Sequence, residues 1–269
     1  MTIRVCVAGA TGWAGAAVVK AILQSAEFEL SGAIARRTAG EDIGTALGLS
    51  PAGIRIVVTL QDALVRPADV LLDYTKPDSV KERTLEALRR GLRVVIGTSG
   101  LSAGDYEDIR REAEVRKLGI VAAGNFSVTA ALAKHFALFA ARHLPSWELL
   151  DYAHADKPDA PSGTVRELAE ELATVGDNQL GLAIEQVRGE KQARGASIAG
   201  TQVHSIRLPG YVISFETIFG LPDERLSIRH DAGSGASPYV SGTLLAIREV
   251  MQISGLVRGL DRLLFREKQ

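Results

Sequence analysis

The sequence predicts an α/β protein in two parts: a parallel sheet layered between helices, then an α+β domain on a mixed or antiparallel sheet. Three observations carry this. Short β-branched runs alternate with amphipathic segments through the first half, and strands that apolar suit sheets buried on both faces. The first of these runs passes directly into a glycine-rich turn and a helical pattern. The second half changes rhythm, to strand patterns joined by short connections.

Taken in order, Ile3–Ala8 reads as a strand, and Val18, Val19, Ile22 and Leu23 give Ala14–Leu23 helical spacing. Phe28–Ile34, Ile54–Val58 and Asp69–Asp73 are the next strands. Asp78–Arg90 follows Pro77 and stops at Gly91, the punctuation of a helix. Val94–Ile96 and Ile120–Ala122 are further strands, separated by a charged surface helix over Asp105–Arg116. Then come a helix at Val128–His143, a strand at Trp147–His154 and a helix at Gly163–Thr174. Val203–Leu208, Tyr211–Phe219 and Leu226–His230 read as an antiparallel set, after a mobile Gly/Ala/Ser-rich loop at Gly189–Gly200. A helix near Tyr239–Ile253 closes the pattern.

The 269 residues carry 31 Lys+Arg against 32 Asp+Glu, a formal net charge of −1. That offers no general attraction to nucleic acid or anionic lipid. The single cysteine, Cys6, lies in an apolar strand pattern and reads as a small buried hydrophobe, and one cysteine forms no intrachain disulfide. The five histidines are dispersed, so no metal site is expected. The opening Met1–Val7 lacks the apolar core of a secretory signal, and no uncharged stretch reaches the roughly 20 residues a membrane span needs. The expectation is a cytoplasmic protein with no membrane partner.

Gly9-Ala10-Thr11-Gly12-Trp13-Ala14-Gly15 stands between the first strand and first helix. Glycines there allow a tight turn and close approach to a pyrophosphate, which then sits on the N–H groups of the helix start. This predicts a Rossmann-type domain with Gly9, Thr11, Gly12, Trp13 and Ala14 at the cofactor. The second strand ends Ile34-Ala35-Arg36-Arg37, without the acid that binds a ribose 2′-hydroxyl. Arg36 and Arg37 suit the 2′-phosphate of NADPH, with NADH as the alternative cofactor; a plain solvated basic turn is the other reading. Tyr74 and Thr75, Gly97 and Thr98, and Asn125 and Phe126 follow the later strands, where open parallel sheets bind ligands.

The segment Asp151–Thr164 ends in Ser162-Gly163-Thr164 at a predicted helix start, with Lys157 and His154 upstream. Helix N–H groups, a point charge and a ring donor make a receptor for a small carboxylate. An ordinary Ser N-cap with surface Lys and His is the alternative.

Gly9–Gly15, Asp73-Tyr74-Thr75, Gly97–Gly100, Asn125-Phe126-Ser127, Lys157–Thr164 and Ile228–Asp231 together resemble, in order, the dihydrodipicolinate reductase family. The resemblance implies a Rossmann domain over residues 1–126, completed by 237–269, and a substrate-binding and oligomerisation domain over 127–236. It also implies NAD(P)H as hydride donor, a cyclic imine dicarboxylate as substrate and a homotetramer. By position Lys157, Ser162, Gly163 and Thr164 would hold the substrate carboxylates, with His154 and Ser99 nearby and Lys157 or His154 serving the proton transfer. One departure bears on chemistry. Where the family has two adjacent histidines, the first its proton donor, this chain has Ala153 and then His154. Asp156 also replaces a commonly basic position, and the strand centre reads Ile213-Ser214-Phe215-Glu216 instead of the usual His-containing pattern. A divergent paralogue acting on another imine, enamine or keto acid, and a non-catalytic NADP-binding protein, are the alternatives this leaves.

Overall fold

The computed structural model describes residues 2–266. They form two compact units, Met1–Val128 with Ala236–Gln269, and Thr129–Gly235. The positions at the limits of the first unit, 1 and 267–269, lie outside the described residues, and so do those ends of the expected domain.

The first unit is built on strands β1 (Ile3–Ala8), β2 (Phe28–Ile34), β3 (Ile56–Val57), β4 (Val70–Asp73), β5 (Arg93–Ile96) and β6 (Gly119–Ala122). A further strand, β12 (Gly255–Arg258), completes a seven-stranded parallel sheet in the order β12-β6-β5-β4-β1-β2-β3. The order reverses at β1, the switch point where dinucleotides bind in such sheets. Both faces are covered, so Val5, Cys6, Val7, Leu71, Leu72, Val94, Val95 and Ile120 have essentially no exposed surface. Each such side chain contributes about 1.5–3 kcal/mol by leaving water. Helices α1 (Trp13–Leu23), α4 (Pro77–Arg89) and α5 (Ala103–Arg116) link the strands, with α8 (Ser237–Glu249) returning late in the chain. Pro77 opens α4 where a missing N–H costs nothing. Ser102 and Asp105 form a reciprocal capping box at α5.

Cys6 is fully enclosed in β1, and burial pushes its thiol up to about 12. The native protein should therefore resist alkylation by iodoacetamide at pH 8 and react fully once denatured. Rapid labelling of the folded chain would contradict this placement.

The second unit contains α6 (Val128–Ala141), β7 (Trp147–Ala153), α7 (Gly163–Val175), β8 (Ala196–Ile198), β9 (Thr201–Arg207), β10 (Ile213–Leu221) and β11 (Glu224–Ala232). Its sheet runs β11-β10-β7-β9-β8 and is mixed, because β7 pairs with β9 in parallel. Val165, Leu168, Ala169 and Leu172 recur at helical spacing on α7 and pack on Trp147, Leu149, Phe215 and Phe219 from the strands. Trp147 satisfies its buried indole N–H on Thr201 Oγ1 at 3.0 Å.

Several sequence expectations change. The Ile54–Val58 strand shrinks to two residues, and short helices α2 (Ile43–Ala46) and α3 (Leu60–Ala63) flank it. The Gly189–Gly200 segment is structured, with a 3-10 turn at Lys191–Arg194 and then β8. The expected helix to Ile253 ends at Glu249; a 3-10 turn, β12 and α9 (Leu260–Leu264) follow. Gly119 explains that approach: a Cβ there would lie 2.5 Å from Val250 O and 2.6 Å from Ile253 O.

Candidate active site

The turn after β1 is shaped by glycine. Gly9 has φ +80°, and a Cβ on it would meet the Tyr74 carbonyl at 2.2 Å, while one on Gly15 would meet the Gly9 carbonyl at 2.1 Å. Gly12 caps α1 without a side chain, so the first-turn N–H groups of Trp13 and Ala14 lack a side-chain acceptor. They face outward at a helix start carrying the positive end of the dipole, an arrangement that fits a pyrophosphate. Trp13 is exposed and stands edge-on to Tyr239 of α8 at 5.3 Å. Thr11 meets Thr38 from the segment after β2, 3.4 Å between hydroxyls. Arg36 and Arg37 are exposed beside it, and among the described residues neither has an ion-pair partner.

Strands β4, β5 and β6 are neighbours, so their carboxyl-end loops come together as expected. Several of the singled-out residues there nonetheless serve the fold. Gly97 is glycine because a Cβ would lie 2.1 Å from the Tyr74 ring. Thr243 Oγ1 donates to the Tyr239 carbonyl, so the Tyr74 hydroxyl donates to Thr243, at 2.6 Å. Burial pushes that phenol well above its ordinary value. Phe126 is buried and edge-on to Tyr74, and Asn125 Oδ1 accepts from the Ser127 N–H at 2.8 Å. Ser99 is exposed.

Sequence reasoning missed Asp73 as an organiser. Its fully buried carboxylate accepts from the Thr75 N–H at 2.9 Å, the Thr75 hydroxyl at 2.6 Å and the Thr98 hydroxyl at 3.0 Å. Arg83 of α4 closes the network at 2.5 Å. The hydroxyls of Thr75 and Thr98 are thus spent on Asp73, joining the β4 and β5 loops. The pairing crosses from strand to helix, and no periodicity signals it.

In the second unit, β7 ends at Ala153, whose side chain is fully buried, and the segment to α7 carries the charges. Lys157 pairs with Asp159, and His154 Nδ1 contacts Asp156 Oδ1 at 2.5 Å. The hydrogen bond and charge of His154 hold the Asp156 carboxyl below the usual carboxylate range. Burial works to raise Asp159, but the Lys157 ammonium outweighs it and holds that carboxyl low. Ser162 brings its hydroxyl O–H, and not its backbone N–H, to the helix start. Its hydroxyl caps the Val165 N–H at 3.4 Å and its own N–H is taken by Asp151 at 2.9 Å. Capping uses an acceptor lone pair of the hydroxyl and leaves its O–H to donate. Gly163, exposed with open space at its Cβ position, and Thr164 keep the outward-facing helix start. Among the described residues, no group of three or more His, Cys, Asp or Glu could hold a metal ion, and no helix is long and apolar enough to cross a membrane.

A glycine-turned βα unit at the switch point of this sheet, with an α+β unit inserted before α8, defines the class: a dinucleotide-dependent oxidoreductase of Rossmann type. Comparison with known proteins narrows it. Residues 3–126 match the family described as "Dihydrodipicolinate reductase, N-terminus", and residues 126–264 match "Dihydrodipicolinate reductase, C-terminus". The chain is 41% identical over 267 residues to the 4-hydroxy-tetrahydrodipicolinate reductase of Moorella thermoacetica, covering 98% of each chain. It is 38% identical over 268 residues to that of Thermosynechococcus vestitus, covering 97% of each. A dipicolinate-bound dihydrodipicolinate reductase from a Paenisporosarcina species superposes with TM-score 0.81 at 32% identity, covering 97% of this chain and 99% of that one. The chain belongs to the dihydrodipicolinate reductase family. An amine dehydrogenase from Mycobacterium smegmatis, at TM-score 0.64 and 15% identity, shares the fold alone.

Proposed function

We propose that the chain catalyses NADPH-dependent reduction of a cyclic unsaturated imine dicarboxylate, the dihydrodipicolinate reductase reaction of lysine and diaminopimelate biosynthesis. The observation that carries this is the Lys157–Thr164 segment, which leads a cation into an open helix start within a chain that matches the family end to end. Membership alone does not choose between coenzymes. Arg36 and Arg37 support NADPH, since two exposed guanidiniums beside the ribose position suit a phosphate dianion. When bound, NADPH supplies a hydride to C4 of the substrate.

The first unit (residues 1–126 with 237–269) would serve as the dinucleotide-binding domain, holding the pyrophosphate on the N–H groups of Trp13 and Ala14. Tyr74, Thr75, Gly97, Thr98, Asn125 and Phe126 then act chiefly by shaping the cofactor wall, their polar atoms being largely committed within it. The second unit (127–236) would bind substrate. One carboxylate lies on the Gly163 and Thr164 N–H groups and meets Lys157, with Ser162 holding the helix start in place. Reduction also needs a proton. With Lys157 assigned to a carboxylate, His154, its Nδ1 held by Asp156, would supply it directly or through an ordered water. Positioned acid–base help of this kind is worth roughly 10²–10⁴-fold.

Mixing the protein with NADPH and substrate freshly made by dihydrodipicolinate synthase should consume NADPH at ordinary enzyme rates. Cofactor binding without turnover would defeat the proposal. Replacing Arg36 and Arg37 by Ala should raise KM for NADPH about 10- to 100-fold, the worth of charge-assisted hydrogen bonds, and barely change that for NADH. An unchanged ratio would remove these residues from coenzyme choice. Ala153 favours one second reading, a paralogue with a reshaped pocket. Ala153→His would then give no gain in reductase activity, and an imine and keto-acid screen would find the better substrate.

The β-sheet of this unit also presents Leu150, Ile206 and Ile218 on its face opposite α7. We assign that face to a homotetramer of a cytoplasmic enzyme. Light scattering should give four times the chain mass, and a monomer would refute the assembly.

A further inference from the structure

The least expected charged contact in the second unit joins Asp151 and Arg207. Parallel pairing of β7 with β9 sets Asp151 beside Ser205 and Ala153 beside Arg207, with the Asp151 and Arg207 side chains on the same side of the sheet. Asp151 is 1% exposed, so its charge needs full compensation. Its Oδ2 accepts from Arg207 Nη2 at 2.6 Å, from the Ser162 N–H at 2.9 Å and from the Ser205 hydroxyl at 3.2 Å. Arg207 Nη2 also donates to the Asp159 carbonyl at 2.7 Å, and Nη1 to the Asp151 carbonyl at 3.2 Å.

One guanidinium thus holds both ends of the stretch from Asp159 to Ser162: the first directly, the second through the Asp151 carboxylate. Asp159 in turn pairs with the Lys157 ammonium, and Ser162 caps α7. Lys157 and Ser162, at the two ends of the carboxylate receptor, are thus both tied to this junction. A second consequence is electrostatic. Asp151 lies one hydrogen bond from the residue that begins α7, where an uncompensated carboxylate would repel an anionic substrate.

We infer that Arg207 is a positioning residue for substrate carboxylate binding, fixing the Lys157–Thr164 receptor and cancelling the charge of Asp151. The inference rests on the receptor assignment made under the proposed function. Arg207 acts on the receptor through Asp151 and Asp159, so its removal should act on substrate KM more than on kcat.

The test uses pyridine-2,6-dicarboxylate as probe, with calorimetric Kd values measured on the full chain alongside NADPH Kd and urea melts. Arg207→Gln should weaken the probe at least tenfold and leave NADPH affinity within about twofold, because the cofactor loops lie in the other unit. Arg207→Lys restores the charge without the bridge to Asp159 and should recover part of the binding. If Arg207→Gln fails to fold, the Asp151→Asn/Arg207→Gln pair removes both charges and should keep the part of the loss that comes from positioning. A folded double variant that binds the probe like wild type, while Lys157→Ala weakens it, overturns the inference. Failure of the wild type to bind the probe, or indifference of binding to Lys157→Ala, would instead overturn the receptor assignment beneath it.

Discussion

Replacing Arg83 by Met should cost about 3–5 kcal/mol of folding stability, the loss expected when one partner leaves a buried ion pair. Asp73 is fully buried and, among the described residues, Arg83 alone pairs with it as a full positive charge; the Thr75 and Thr98 donors that remain are neutral. Urea denaturation would read the loss as a lower midpoint, and thermal unfolding as a fall in Tm on the order of 10 °C. Asp73→Asn/Arg83→Met should recover part of it, because removing both charges leaves no buried ion unpaired. A single variant as stable as wild type would mean the pair is solvated in solution. The same network joins the loops after β4 and β5, so a folded single variant should also bind NADPH more weakly.

The second large effect concerns Lys157. Lys157→Ala should lower kcat/KM for the dicarboxylate substrate by about 10- to 150-fold, since charge-assisted hydrogen bonds contribute roughly 1.5–3 kcal/mol. Most of the change should lie in KM, because a carboxylate remote from C4 keeps its charge through the reaction. NADPH affinity should be unaltered. Steady-state kinetics with both substrates varied would separate these terms, and an unchanged substrate KM would remove Lys157 from the receptor. Asp159 sharpens the expectation: substrate meets a lysine already partnered, so each carboxylate must compete with Asp159 for the ammonium.

The first unit was largely legible from its residues. β1 and β2 have the limits that their apolar runs predicted, because strands buried on both faces advertise themselves. β12 was invisible for the opposite reason. Gly255-Leu256-Val257-Arg258 is a four-residue edge strand with one face half-exposed, and only its pairing with β6 defines it. The candidate site divides similarly. Glycine spacing announced the turn at Gly9–Gly15, and Ser162-Gly163-Thr164 announced a helix start. Which polar atoms stay available was not legible. The hydroxyls of Thr75 and Thr98 are committed to Asp73 on β4 and the Ser162 N–H to Asp151 on β7, partners that no local spacing announces. Gly97 shows the same limit: its sequence context does not reveal that a Cβ there would meet the Tyr74 ring.

The pairing of β12 with β6 also dictates the order in which the protein can be made. These adjacent strands are separated by roughly 130 residues of chain, a long-range closure that is slow to form. During synthesis, everything from Thr129 to Gly235 leaves the ribosome before β12 exists. The inserted unit has all five of its strands in hand and can fold at once. Until then the sheet that precedes it waits with β6 as an open edge, the kind of surface that invites wrong pairing and the attention of chaperones.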